Sequence, residues 1–259
     1  MTNSTNAKIF VLIPTKSDKA VVIRRGPAKQ VGIFSWNLTS NEIKSYQWLK
    51  GRIYEYFSDI SPDGKYLIYS AIKKGKSYTV ISKAPWLKAL SLWHNVGGRG
   101  GGLLNSNASY MLYDGSESYN EFRTKKLTGI NSDLEIINNG IYPIRLSRNG
   151  WNLIDTQQGQ VQFVKNLGNN KTIKKIWHQW TQSTASGTPS LWESHLLVFN
   201  GVTIPKDNWE WCEVYKNDLL WSENGCIYRA PKTSIERIND PKLVHDFNKE
   251  VMQELAAPY

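Results

Sequence analysis

The feature that most constrains this chain is a turn-and-strand phrase, Ser61-Pro62-Asp63-Gly64-Lys65-Tyr66-Leu67-Ile68-Tyr69. Pro62 presets φ for a turn, Asp63 can bond the backbone beside it, and Gly64 accepts a positive φ; the run that follows suits a pleated strand. The phrase returns as Asn105-Ser106-Asn107-Ala108-Ser109-Tyr110-Met111-Leu112-Tyr113 and as Ser147-Arg148-Asn149-Gly150-Trp151-Asn152-Leu153-Ile154. Fainter copies begin at Ser17, Ser190 and Ser222. The anchors 61, 105, 147 and 190 lie 44, 42 and 43 residues apart, and 222 lies 32 further on. One hairpin signal occurs in any antiparallel protein, but a period near 43 is the length of one propeller blade. Each interval holds further strand-like runs, such as Tyr78-Thr79-Val80-Ile81 and Val161-Gln162-Phe163-Val164. The expected fold is therefore all-β: a small β-propeller of about five blades, with six possible, forming one domain over 1–259.

Composition agrees. With 11 Trp and 13 Tyr among 259 residues the chain can fill a core, while 19 Gly and 10 Pro supply turns. Only the C-terminal stretch departs from β. Asp240-Pro241 reads as a helix N-cap followed by proline at the first helical position, and Leu243, Phe247, Val251 and Leu255 recur every four residues. These predict a helix from about Lys242 to Leu255, with its apolar stripe against the body.

Ser61-Pro62-Asp63-Gly64-Lys65-Tyr66 resembles the blade motif of WD40-like and TolB-like propellers, without the Gly-His and Trp-Asp signatures of true WD40 repeats. Arg24-Arg25-Gly26-Pro27-Ala28-Lys29-Gln30, Lys50-Gly51-Arg52-Ile53-Tyr54-Glu55 and Asp246-Phe247-Asn248 with Ala257-Pro258-Tyr259 are similar to a family of uncharacterised bacterial proteins. That resemblance implies a bacterial cytoplasmic protein and transfers no catalytic residue.

A search for chemistry returns little. His94, His178, His195 and His245 show neither HxxxH nor HxH spacing, so no metal site is expected; no GxSxG elbow is present. Gly97-Gly98-Arg99-Gly100-Gly101-Gly102 fits no phosphate-binding motif and reads as a flexible loop before a blade. Cys212 and Cys226 form no CxxC and no disulfide framework, which suits a reducing compartment; the apolar run Ile9–Ile13 is too short for a signal peptide or a span. The chain is expected to be cytoplasmic, without cofactor and without membrane attachment.

What remains is charge and aromatic density. The formal net charge is +10, a field that draws in acidic partners, with the basic residues scattered as Arg24-Arg25, Lys73-Lys74-Lys76, Lys125-Lys126 and Lys174-Lys175. Trp, Tyr and Arg dominate binding hot spots. Strand alternation would place Trp209 and Trp211 on one face with Glu210 opposite, as core or as docking surface. The candidate binding residues are Arg24, Arg25, Arg99, Trp209 and Trp211; none is expected to be catalytic. The reading is a non-enzymatic protein-binding propeller with one partner acidic on its contact face, in the manner of a bacterial immunity protein that neutralises a toxin. The alternatives are a hydrolase or lyase working in a central channel and a basic nucleic-acid-binding module.

Overall fold

The computed structural model describes residues 6–27, 29–95, 100–106, 109–112, 141–179, 191–233 and 241–259. The chain divides into two compact units, 1–145 with 249–259, and 146–248. The fold is all-β and of propeller type, with four blade-sized up-and-down sheets.

The first unit carries two four-stranded meanders. One is β1 (Lys8–Leu12), β2 (Lys19–Arg25), β3 (Gln30–Asn37) and β4 (Ile43–Lys50); the other is β5 (Arg52–Ile60), β6 (Tyr66–Lys73), β7 (Lys76–Lys83) and β8 (Ala89–His94). Both are antiparallel in chain order, the cheapest topology for strands joined by short turns. A two-stranded antiparallel pair, β9 (Gly102–Leu104) and β10 (Tyr110–Leu112), follows them. The core places Leu104 and Tyr110 against Ile68, Ile81 and Trp93.

The Ser61 turn forms as its residues dictate. Ser61 Oγ donates to Asp63 Oδ1 (2.7 Å), the Lys65 N–H donates to Asp63 Oδ1 (3.1 Å), and Gly64 has φ of 74°. β5 then departs from regular pairing between Tyr54 and Asp59. The carbonyls of Glu55 and Ser58 in that bulge accept from the buried Arg145 guanidinium, which also lies over the Phe10 and Tyr142 rings. Asp59 is fully buried and accepts the Leu104 N–H at 2.8 Å, tying β9 to the bulge.

The second unit carries a five-stranded meander and a four-stranded one. The first is β11 (Asn152–Gln157), β12 (Gln160–Gly168), β13 (Lys171–Gln179), β14 (Leu191–Phe199) and β15 (Val202–Pro205). The second is β16 (Trp209–Tyr215), β17 (Asp218–Glu223), β18 (Cys226–Pro231) and β19 (Lys242–Asp246).

Several expectations are corrected. Four blades replace the expected five because the turn phrase marks hairpins, not blades. Ser17 and Ser61 stand before the second strands of their sheets, whereas the Ser222 copy sits between the second and third strands of its own. Ser147 is not in a hairpin at all. It ends α1 (Ile141–Arg148), where Gly150, with φ of 81°, donates to Ser147 O and the Trp151 N–H donates to Leu146 O at 3.0 Å. That is a Schellman cap, and its Asn-Gly pair looks like a hairpin turn because both need a left-handed glycine. Asn107, Ala108, Tyr113 and Ser190 lie outside the described residues.

The expected helix over 242–255 is absent: β19 pairs with β18 and is followed by a single 3-10 turn, Phe247–Lys249. A spacing of four is even, so it satisfies strand alternation as well as a helix, and the open edge of β18 supplies backbone partners that a lone helix would forgo. Of the stripe, Phe247 is fully buried, while Leu243, Val251 and Leu255 are exposed. Asp240 lies outside the described residues. The glycine run is also only partly loop-like. Gly100, Gly101 and Gly102 are buried, the Gly101 N–H donates to Thr79 Oγ1 at 2.7 Å, and a Cβ on Gly101 would stand 2.0 Å from the Phe57 carbonyl oxygen.

Candidate functional site

Two constellations in the structure carry charge that could do work, one in each unit. The first is an open groove of about 630 Å³ in the first unit, lined by Lys29, Lys50, Arg52, Lys74, Tyr54 and Ile72 with Gln30 and two glycines. Its cations arrive from three short connections: the β2–β3 turn, the β4–β5 junction and the β6–β7 turn. The floor is tight. The Gly51 N–H donates to Lys29 O at 2.8 Å, and a Cβ on Gly51 would stand 2.5 Å from Ile72 O, so only glycine lets these backbones meet. Lys29, Lys50, Arg52 and Lys74 are all exposed, and among the described residues no carboxylate lines the groove. The Arg52 guanidinium lies 4.8 Å from the Tyr54 ring centroid.

The second constellation is a buried ionic network in the second unit. Lys165 on β12, Lys175 on β13, Glu193 and His195 on β14, and Glu213 on β16 converge around Trp151. Alternation on β14 puts Glu193 and His195 on one face, and antiparallel register sets His195 opposite Lys175. Lys175 Nζ lies 3.4 Å from Glu193 Oε2 and donates to Cys212 O at 3.2 Å. Glu213 accepts Lys165 Nζ at 2.6 Å, Trp151 Nε1 at 2.9 Å and the Val214 N–H at 2.8 Å. Burial alone would push the Glu213 carboxyl up, but the Lys165 and Lys175 ammonium groups and the Lys165 and Trp151 hydrogen bonds hold it below its ordinary range.

Burial, then the Lys175 charge, keeps the His195 imidazole well below its usual value and so neutral. Its 3.0 Å contact with Glu193 is then a neutral N–H donating to a carboxylate, not an ion pair. Burial likewise pushes the Cys212 thiol far up. The side chains of Lys175, Glu193 and His195 are at most 1% exposed. The network has the acid and base types of a catalytic site, with Lys175, Glu193 and His195 buried, and its geometry cross-links β12, β13, β14 and β16.

The residues singled out from the sequence fall in different places. Arg24 is buried, donates to Gly26 O and lies 5.1 Å from the Trp48 ring; burial lowers its pKa, with Glu250 acting the other way. Arg25 is partly exposed and paired with Glu55 at 2.6 Å. Arg99 lies outside the described residues. Trp209 and Trp211 are both buried, and the bulge between them puts them on opposite faces of β16, not on one. Trp211 faces with Ser222, whereas Trp209 stacks on Trp221 at 5.0 Å, on the other face. None of the four described residues, Arg24, Arg25, Trp209 and Trp211, lines the groove. Lys74 stood in a basic run visible in the sequence, and Lys50 and Arg52 in a segment singled out only for its resemblance; nothing in their spacing said that they converge.

Among the described residues no group of three His, Cys, Asp or Glu could hold a metal ion, and no helix is long and apolar enough to cross a membrane. Comparison with protein-family signatures finds no match, and no curated protein is similar in sequence. Solved structures with a similar arrangement include an uncharacterized protein from Listeria monocytogenes EGD-e, at 10% identity and a TM-score of 0.34, covering 86% of this chain and 62% of that one. This chain thus spans less than two thirds of that protein's length. The β-propeller domain of the Trilobed protease from Pyrococcus furiosus matches at 8% identity and a TM-score of 0.32, covering 92% of this chain and 81% of that one. Pyrococcus horikoshii acylaminoacyl peptidase matches at 10% identity and a TM-score of 0.32, covering 92% and 45%.

Proposed function

We propose that this chain is a non-catalytic, protein-binding propeller whose single partner presents an acidic face, and, within that class, a bacterial immunity protein that binds and neutralises a toxin in the cytoplasm. The observation that carries the reading is the groove lined by Lys29, Lys50, Arg52 and Lys74, four exposed cations with no carboxylate in the lining among the described residues. Exposed cations stay hydrated until a ligand supplies the anion, and a net charge of +10 steers that ligand in. Neutralising a toxin calls for fast capture by a surface that does not rearrange, which a scaffold of short-turned meanders provides. The acid and base groups that would suit a hydrolase or lyase, Lys175, Glu193 and His195, are closed off from solvent, which favours binding over catalysis.

The test is capture from the native host followed by a salt series. A single protein partner is expected, with an on-rate that falls as salt rises and tight binding retained at high salt through a slow off-rate. Recovery of nucleic acid alone, with affinity lost by roughly a thousandfold between 50 and 200 mM salt, sinks the reading in favour of a nucleic-acid-binding module.

A further inference from the structure

The strain in the groove lysines says more about what the groove takes. Among the described residues, eight non-glycine residues have positive φ: Asn41, Asn169, Asn170, Asn200, Asn224, Lys29, Lys74 and Lys216. Five are asparagine, the residue that tolerates the left-handed region because its short amide bonds the local backbone. Lysine has no such compensation. Yet Lys29, at φ of 55°, and Lys74, at 50°, both line the groove, and Lys74 precedes Gly75 where Asn-Gly is the favoured pair. Lysine held at a position where asparagine fits better points to a use for its charge rather than to the turn.

We infer that the groove binds an extended acidic segment of the partner, with carboxylates on Lys29, Lys50, Arg52 and Lys74 and one apolar side chain between them against Ile72 and Tyr54; this rests on the protein-binding reading above. The cations converge from three connections over a floor that Gly51 keeps closed, so they are placed before the ligand arrives. A volume of about 630 Å³ is within the range of pockets that enclose a few side chains. A nucleic acid fits less well. Single strands bind by stacking bases on open aromatic faces, and Tyr54, the one ring in the lining among the described residues, lies under the Arg52 guanidinium.

The test uses the full chain and three probes: a blocked peptide of glutamates flanking one leucine, its glutamine counterpart, and an oligothymidylate of matching charge. The wild type is expected to bind the glutamate peptide, and the glutamine peptide undetectably. The Lys29→Asn, Lys74→Asn pair is expected to weaken that binding by roughly tenfold or more while its melting temperature stays level or rises. Lys16→Gln with Lys216→Asn removes the same charge from residues outside the groove's lining, and one member makes the same left-handed substitution; binding is expected to stay within about twofold. Equal binding by the groove pair, equal loss in the control pair, or tighter binding of the oligothymidylate overturns the proposal. If the groove pair still captures the native protein partner, the groove falls and the protein-binding function stands; if the wild type captures no protein, that function falls instead.

Discussion

The network around Glu213 offers the sharpest test of how the second unit is held together. Glu213 neutralises Lys165 at 2.6 Å and accepts from the Trp151 indole and the Val214 N–H. Glu213→Leu would strand all three donors, and breaking a buried ion pair from one side costs about 3–5 kcal/mol. Lys165 is 15% exposed and can turn toward water, so the lower end applies, about 3 kcal/mol. At roughly 2–4 °C per kcal/mol for a chain near this length, the melting temperature falls by about 6–12 °C. Pairing Glu213→Leu with Lys165→Met removes both charges and is expected to recover most of that loss, because the uncompensated charge carries most of the cost.

The acid limb gives an independent check. Glu213 is held below its ordinary value near 4.5, so the unfolded chain binds the proton first as pH falls. Its contribution is present above that value and is lost as pH drops from there through the lowered folded value. Glu213→Gln should therefore flatten the stability profile in that window, read by denaturant midpoints at successive pH. A Glu213→Leu loss under about 1 kcal/mol, or an unchanged acid limb in Glu213→Gln, would refute the network as a structural cross-link.

Three further outcomes follow from packing. Phe247→Ala removes a fully buried ring beside His245 and should cost about 3–5 kcal/mol by chemical denaturation, although no helix surrounds it. Gly101→Ala drives a Cβ to 2.0 Å from the Phe57 carbonyl at a φ of 105°, so a loss of about 2 kcal/mol or more is expected, read as a lowered melting temperature. Tyr259→Phe deletes the hydroxyl that accepts the Lys83 N–H and donates to Lys88 O; it should cost only about 1 kcal/mol but raise amide exchange at Lys83.

The sequence by itself determined most of the turns and the strands beside them, because those are local. Ser61, Asp63 and Gly64 can make only a tight turn, and Asn224-Gly225, with φ of 51° and 76°, can make only a hairpin or a cap. From such phrases the all-β propeller class was legible, as was the net positive charge, but the number of blades was not, because the same phrase also closes inner hairpins and a helix. The tertiary structure decided what each local signal was for. Asn149-Gly150 became a helix cap and not a hairpin because of where α1 ends, and residues 242–246 became a strand because β18 offered an edge. It also decided the sites. One extra residue in β16 turns Trp209 and Trp211 to opposite faces, and no spacing rule reports a bulge. Lys29, Lys50, Arg52 and Lys74 meet only because two sheets bring three of their connections to one place; Lys165, Lys175, Glu193 and His195 meet through the register of β12, β13 and β14, and Glu213 joins them from the other sheet. A turn is closed by residues a few positions apart and is written in the sequence; a site is closed by strand pairing across tens of residues, where long-range contacts alone select which side chains face one another.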